Sequence, residues 1–223
     1  MSAERRTQNA ESVLICFALK EEAAPFRKIA ADKAGVSILV TGMGRRNTEK
    51  AVTERLAGTL APPKLVLTCG FAGGLDPALN SGDVVFEAGT SNPESGTRLR
   101  AAGPKPAKFF CADRIATTVA EKKKLREETG ADAVEMESAV IHEICRQRNI
   151  PCVTVRVISD TAHEDLPLDF NQLSKPDQSL DFCKLAWAIA RSPGKIPALM
   201  ALGKKTRHAA EHLAEVLLKV LPE

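Results

Sequence analysis

The 223-residue chain has no CxxC pair and no apolar run near the roughly 20 residues a membrane span needs, and it lacks both a Walker and a GxGxxG phosphate loop. Each absence removes a class of function. Without close cysteine pairs, Cys16, Cys69, Cys111, Cys145, Cys152 and Cys183 read as small hydrophobes within strands and helices, and reduced thiols suit a reducing compartment. The start, "MSAERRTQNA", has no apolar centre, so no secretory leader is expected and the chain reads as a soluble cytoplasmic protein. No aromatics interleave the basic clusters "EKKKLRE" and "GKKTRH", which read as solvated helix faces and argue against a nucleic-acid partner. His208 and His212 in "HAAEH" match a zinc spacing, but only the amphipathic stripe Leu213, Val216, Leu217 and Val220 follows; no metal or organic cofactor is expected. His142 and His163 stand apart from any nucleophile, which leaves a Ser/His or Cys/His triad unsupported.

What is present fits one globular domain over residues 1–223, with 44% hydrophobic and 26% charged residues, a net charge of +3, and residues 1–11 expected to be disordered. Short apolar runs alternate with helix-period segments: "SVLICFAL", "VSILVTG", "KLVLTCG", "DVVFEAG", "KFFCAD" and "CVTVRVISD". Most lack polar alternation, as strands buried on both faces do, so the fold class is α/β with a largely parallel sheet. Helices are expected where Ala51, Val52, Leu56 and Leu60 share a stripe, with Asn47 as N-cap, and where Val140, Ile141, Ile144 and Cys145 do the same. Gly89 to Lys108, rich in Gly, Pro, Ser and Lys, reads as a loop. A last helix is expected over roughly 205–221.

In an open parallel sheet, ligands bind beyond the carboxyl ends of the strands. Those ends carry "ALKEE", "TGMGRRN", "CGFAGGLD" and "VRVISD", and "AVEMES" at 133–138 joins them as a strand-to-helix turn. Arg156 inside "VTVRV" needs a carboxylate partner if buried, and Glu22 and Glu137 are the candidates.

"CGFAGGLDPALNSGDVV", "AVEMESAVIHEICRQRNIPCVTVRVISD" and "ALKEEAAPF" together resemble the nucleoside phosphorylase and nucleosidase superfamily, most closely its 5'-methylthioadenosine/S-adenosylhomocysteine nucleosidase branch. The resemblance implies a three-layer sandwich with a mostly parallel, mixed central sheet between helices. It also implies a homodimer or higher homo-oligomer, and cleavage of the N-glycosidic bond of a purine-type, 5'-substituted nucleoside. By the same resemblance, Asp160 is the acid that protonates the base at N7, Glu22 activates water and Arg156 lies near that water. Glu137 and Met136 hold the ribose, Ser159 lies at the base-recognition turn and Phe170 closes the pocket. With it, Glu135 is a structural carboxylate at the turn; read without it, Asp160 suits a turn cap, Glu22 a helix N-terminus with Pro25 in the first turn, and Glu135 with Glu137 a salt-bridged surface pair.

The chain departs from the family pattern at three places. Phe71 replaces a serine, leaving the amides of Ala72 and Gly73 for substrate contact; Ile115 replaces an aromatic against the base; and the loop at 89–108 replaces a strand and helix, which predicts an open 5' pocket for a bulky substituent. Acids in "ALKEE" favour water over phosphate, while Arg45 and Arg46 keep phosphorolysis as the alternative. A non-catalytic nucleoside-binding protein is the second alternative.

Overall fold

The computed structural model describes residues 13–31, 33–58, 61–88, 93–173, 175 and 181–221. Leu60, Gly89 and residues 1–11, which figure in the sequence reading, lie outside them. Five strands run β1 Val13–Phe17, β2 Val36–Val40, β3 Leu65–Gly74, β4 Val84–Ala88 and β8 Cys152–Asp160, with the short β5 Lys105–Pro106, β6 Phe109–Cys111 and β7 Ala133–Glu135 between. They form one sheet in the order β2-β1-β3-β8-β4-β5, with β7 joined to β3 and β6 to β7. Pairings are parallel except β4 with β8 and β7 with β3, so the sheet is mixed and mostly parallel. All nine residues of β8 are buried, as expected of a β-branched strand covered on both faces.

Helices cover both faces. The helices α1 Lys20–Ile29, α3 Pro93–Ala102 and α7 Ile196–Val220 pack on one side, where Phe17, Phe26, Leu67, Phe86, Leu99, Val155, Leu213 and Leu217 form the main core. On the other side α2 Arg45–Ala57 and α5 Ser138–Gln147 close over Leu14, Val52, Val66, Ile141, Ile144 and Cys145. The expected stripes on α2 and α5 are therefore the faces that pack. The remaining helices are α4 Val119–Thr129 and α6 Phe182–Arg191.

Three local expectations change. The N-cap of α2 is Gly44, and Asn47 instead donates its Nδ2 to the Met43 carbonyl at 2.9 Å. Pro25 falls in the second turn of α1, which starts at Lys20. The stretch read as a loop contains α3 and β5: Pro93 opens a helix, where its missing N–H costs nothing, and small Ser95 and Gly96 beside Leu99 are its buried residues. The segment thus holds a helix and a strand of its own, which removes the ground for expecting an open 5' pocket. His208 and His212 lie on α7, where His212 Nδ1 is 2.9 Å from the Gly82 carbonyl and His208 pairs with Glu211.

The two halves of α7 differ sharply in burial, from Leu217 at 0% exposed to Met200 at 71%. Leu217→Ala is expected to lose about 2–5 kcal/mol in a urea titration, whereas Met200→Ala should stay within about 0.5 kcal/mol of the parent.

Candidate active site

The centre of the site is Arg156, 1% exposed in the middle of β8. Its Nη2 donates to Glu135 Oε2 at 2.6 Å and Thr68 Oγ1 at 3.1 Å, and Nη1 donates to the Cys69 carbonyl at 3.2 Å. Glu137 Oε2 stands 3.4 Å from the same Nη2, and Nε has no partner among the described residues. Of the two partners expected from sequence, Glu137 is in reach, but the shortest contact belongs to Glu135. The reason is local: β7 ends at Glu135 and α5 begins at Ser138, so the turn lets Glu135 accept from the Glu137 and Ser138 amides at 2.9 and 2.8 Å while facing the guanidinium. Glu135 is thus the structural carboxylate, and it holds the arginine.

Glu22 and Glu137 complete the cluster. Glu22, on the first turn of α1, accepts from the Leu19 amide at 2.9 Å, as a helix-capping acid would, and also from the Phe71 amide at 2.8 Å. Glu137 accepts from the Gly44 amide at the N-terminus of α2, at 2.9 Å. Gly70 permits this convergence: a Cβ there would lie 2.7 Å from Glu22 Oε1 and 2.9 Å from Arg156 Nη1, and its φ of +140° suits glycine alone.

Three carboxyls around one guanidinium do not titrate alike. Burial pushes Glu22 up from 4.5 to about 7, opposed by the Arg156 charge and the Phe71 amide. Glu137 is also raised, by burial first and by Glu135 after the opposing Arg156. Burial works upward on Glu135 too, but the Arg156 charge and the bonds from Ser138 and Glu137 outweigh it and hold that carboxyl low. The result is one fixed anion and one carboxyl poised near neutrality, the property a general base needs.

A second buried pair lies three residues farther along β3. A bulge between Ala72 and Gly73 shifts the β3–β8 register, and Gly73 pairs with Asp160. Asp160 is 6% exposed; its Oδ1 accepts from Ser159 Oγ at 2.5 Å and its Oδ2 is 2.6 Å from Lys122 Nζ. Lys122, on α4, is fully buried, and its ammonium also donates to the carbonyls of Thr161 at 2.7 Å and Glu164 at 2.8 Å. All three of its protons have acceptors.

The structure therefore brings Glu22, Arg156 and Glu137 around Gly70, with Asp160 and Ser159 at the end of the same pair of strands. Met136, half-buried, lies between the two turn acids. Phe71 gives its amide to Glu22 and packs its ring on the main core; Ala72 gives its carbonyl to Ser159 Oγ at 3.3 Å, and Gly73 lies against the Asp160 carboxylate. Ile115 is bonded in both directions by the Asn171 amide at 2.9 Å, which ties it to the turn carrying Phe170. Arg45 and Arg46 are exposed at the start of α2. Sequence reasoning missed Lys122, which it took as part of a solvated cluster. That reading holds for Lys123 and Lys124, whose side chains are 77% and 73% exposed and lie four residues from Glu127 and Glu128. The signal for Lys122 was its spacing three residues before Leu125, on the inner stripe of α4.

A cavity of about 570 Å³ between β4, α3 and Lys108 contains none of these residues; its own charged lining is Glu87, Arg100, Lys108 and Asp132.

The chain is 27% identical to a 5'-methylthioadenosine/S-adenosylhomocysteine nucleosidase of Anoxybacillus flavithermus, over 63% of this chain and 74% of the relative. It is also 27% identical to the enzyme of that name from Glaesserella parasuis, over 61% and 73%. Among solved structures, the futalosine hydrolase of Helicobacter pylori superposes with a TM-score of 0.68 at 16% identity, covering 95% of this chain and 97% of that one. A 5'-methylthioadenosine/S-adenosylhomocysteine nucleosidase from Neisseria meningitidis, in complex with methylthio-immucillin-A, does so at 0.67 and 18%, covering 94% and 98%; the likeness at these identities is one of fold. The family model described as phosphorylase superfamily matches residues 22–89 and 105–191, which take in both buried charge clusters, and the chain belongs to that superfamily.

Proposed function

We propose that the protein is a nucleosidase, cleaving the N-glycosidic bond of an adenosine-derived, 5'-substituted nucleoside with water and releasing base and ribose moiety. The observation that carries this reading is the division of labour between two carboxyls on one sheet end. Glu22 is poised near neutrality beside Arg156, and Asp160 is held apart by a buried ammonium. As the bond breaks, positive charge grows on the sugar and negative charge on the base. Glu22 takes a proton from the attacking water, near Arg156, while Glu137 accepts bonds from the ribose hydroxyls with Met136 against the ring. Asp160, after taking up a proton from solvent, passes it to the base nitrogen, and Lys122 stabilises the carboxylate that remains. Proton exchange with solvent then resets both acids. Ser159 orients Asp160, and Phe170 and Ile115 border the base. The names of the relatives support this activity, and six cysteines without a disulfide support a cytoplasmic setting. A homo-oligomer belongs to the same reading.

Water is preferred to phosphate because Glu137 already occupies the Gly44 amide at the start of α2, beside Arg45 and Arg46. Base release from 5'-methylthioadenosine in phosphate-free buffer, unchanged on adding phosphate, is the expected result; strict phosphate dependence would make the protein a phosphorylase. Asp160→Asn should lower kcat by about 10²-fold or more, and unchanged turnover would mean that another group is the acid.

Glu22→Gln is expected to lose activity and gain stability. A carboxyl raised from 4.5 to about 7 keeps its proton in the folded state where the unfolded chain has lost it, so stability falls as pH rises through that window and stays low above it. The glutamine variant should therefore be more stable by about 1–3 kcal/mol at about pH 8, and no more stable at about pH 4. Paired urea titrations at the two pH values read this directly, while kcat of the parent should rise with pH through about 7.

Lys122→Met should lower kcat far more than it raises KM. With a p-nitrophenyl riboside, whose leaving group needs no proton, the loss should be much smaller; equal losses on both substrates would reduce Lys122 to a structural role.

A further inference from the structure

Between Cys183 and His208 no described residue is buried. This stretch spans α6, the tight turn Pro193–Lys195 and the outer half of α7, and α6 packs mainly against that turn. Helices of this kind normally hide an apolar stripe. Here Trp187 is 59% exposed, Ile196 40% and Met200 71%. Trp187 shares a face with Lys184 and Arg191, whose guanidinium stacks 3.4 Å from the ring centroid; on α7, Ile196, Met200 and Lys204 recur at four-residue spacing on another.

The charge pattern is equally one-sided. Residues 182–210 contain Lys184, Arg191, Lys195, Lys204, Lys205 and Arg207 and not one Asp or Glu, so this segment carries +6 and leaves −3 for the rest of a chain whose net charge is +3. Lys205 is paired with Glu164, 2.7 Å away on the loop after Asp160, and Arg207 with Glu211 on its own helix.

We propose that α6 and the outer half of α7 form an interfacial arm that docks the protein on an anionic lipid bilayer. Exposed Trp, Ile and Met flanked by cations suit the boundary between headgroups and acyl chains, where the apolar side chains enter and the basic ones meet phosphate. A second copy of the chain is a poorer occupant, because a two-fold contact of the arm with itself would oppose +6 to +6. Nucleic acid would use the cations and leave the apolar side chains in water. Lys205 ties the arm to the loop whose Glu164 carbonyl also holds Lys122, so the docked face adjoins the site.

Trp187 is the only tryptophan, which makes the test direct. The full-length protein is mixed with vesicles of phosphatidylcholine alone, or of an equal mixture of phosphatidylcholine and phosphatidylglycerol, and both co-sedimentation and tryptophan emission are recorded. The expected outcome is a partition at least about tenfold stronger into the anionic vesicles, with a blue shift of Trp187 that is reversed by high salt. Met200→Glu combined with Lys204→Glu should abolish both effects. Release of adenine from water-soluble 5'-methylthioadenosine should be unchanged in that variant, which shows it folded and scores the nucleosidase reading separately. No binding, or equal binding to neutral vesicles, overturns the proposal. So does a blue shift that grows with protein concentration in the absence of lipid, which assigns the arm to a second copy.

Discussion

One guanidinium in a fully buried strand sets the terms for the rest of this protein. A charge at the position of Arg156 is costly to desolvate, and replacing such an ion pair with packed hydrophobic residues is commonly neutral or stabilising by about 1–4 kcal/mol. Stability does not explain its presence. The requirements it imposes are visible around it: Thr68 and the Cys69 carbonyl must face it, Gly70 must have no side chain, and the β7–α5 turn must deliver two acids within 3.4 Å. Removing Glu135 would take away the shortest of these contacts and leave Glu137, at 3.4 Å, as the nearest carboxylate. The cluster is therefore one unit, held by the sheet and the β7–α5 turn.

The second buried cation makes the site bipolar. Lys122 serves Asp160 and Arg156 serves Glu22 and Glu137, and the two centres face Gly73 and Gly70, about 10 Å apart along β3. Glycosidic cleavage separates charge in the same sense, positive on the sugar and negative on the base. A single cation between the acids would bind them all and leave none free to accept a proton. With two, Glu135 absorbs most of the Arg156 charge and Glu22 is left near neutrality.

Much of this was legible in the amino-acid order, for identifiable reasons. Strands buried on both faces announce themselves as uninterrupted apolar runs, and β8 read correctly from Cys152 to Asp160 because a nine-residue β-branched run has few alternatives. Glu22, Glu137 and Asp160 lie in motifs at strand ends and Arg156 is a lone charge inside an apolar run, while their roles were implied by the family resemblance. Contacts between distant segments were less visible. Glu135 and Glu137 are two residues apart, and only the turn between β7 and α5 decides which faces the guanidinium squarely. Lys122 was hidden by its neighbours, since composition averages over a cluster while burial acts on single residues. The helix at Pro93–Ala102 failed as a loop because Gly, Ser and Pro carry turn propensity that packing against β4 and α7 overrides.

The start of α2 bears on the nucleophile. A helix N-terminus with free amides is a ready anion site, and two arginines beside it would strengthen one. In this protein the first of those amides, at Gly44, is bonded to Glu137, whose other oxygen lies 3.4 Å from Arg156. A phosphate dianion would have to approach that carboxylate and Glu22 at close range, where charges of like sign repel strongly in a buried site. Water carries no such penalty. The protein's own carboxylate thus holds the first of those amides, and an anion arriving at the start of α2 would meet its charge.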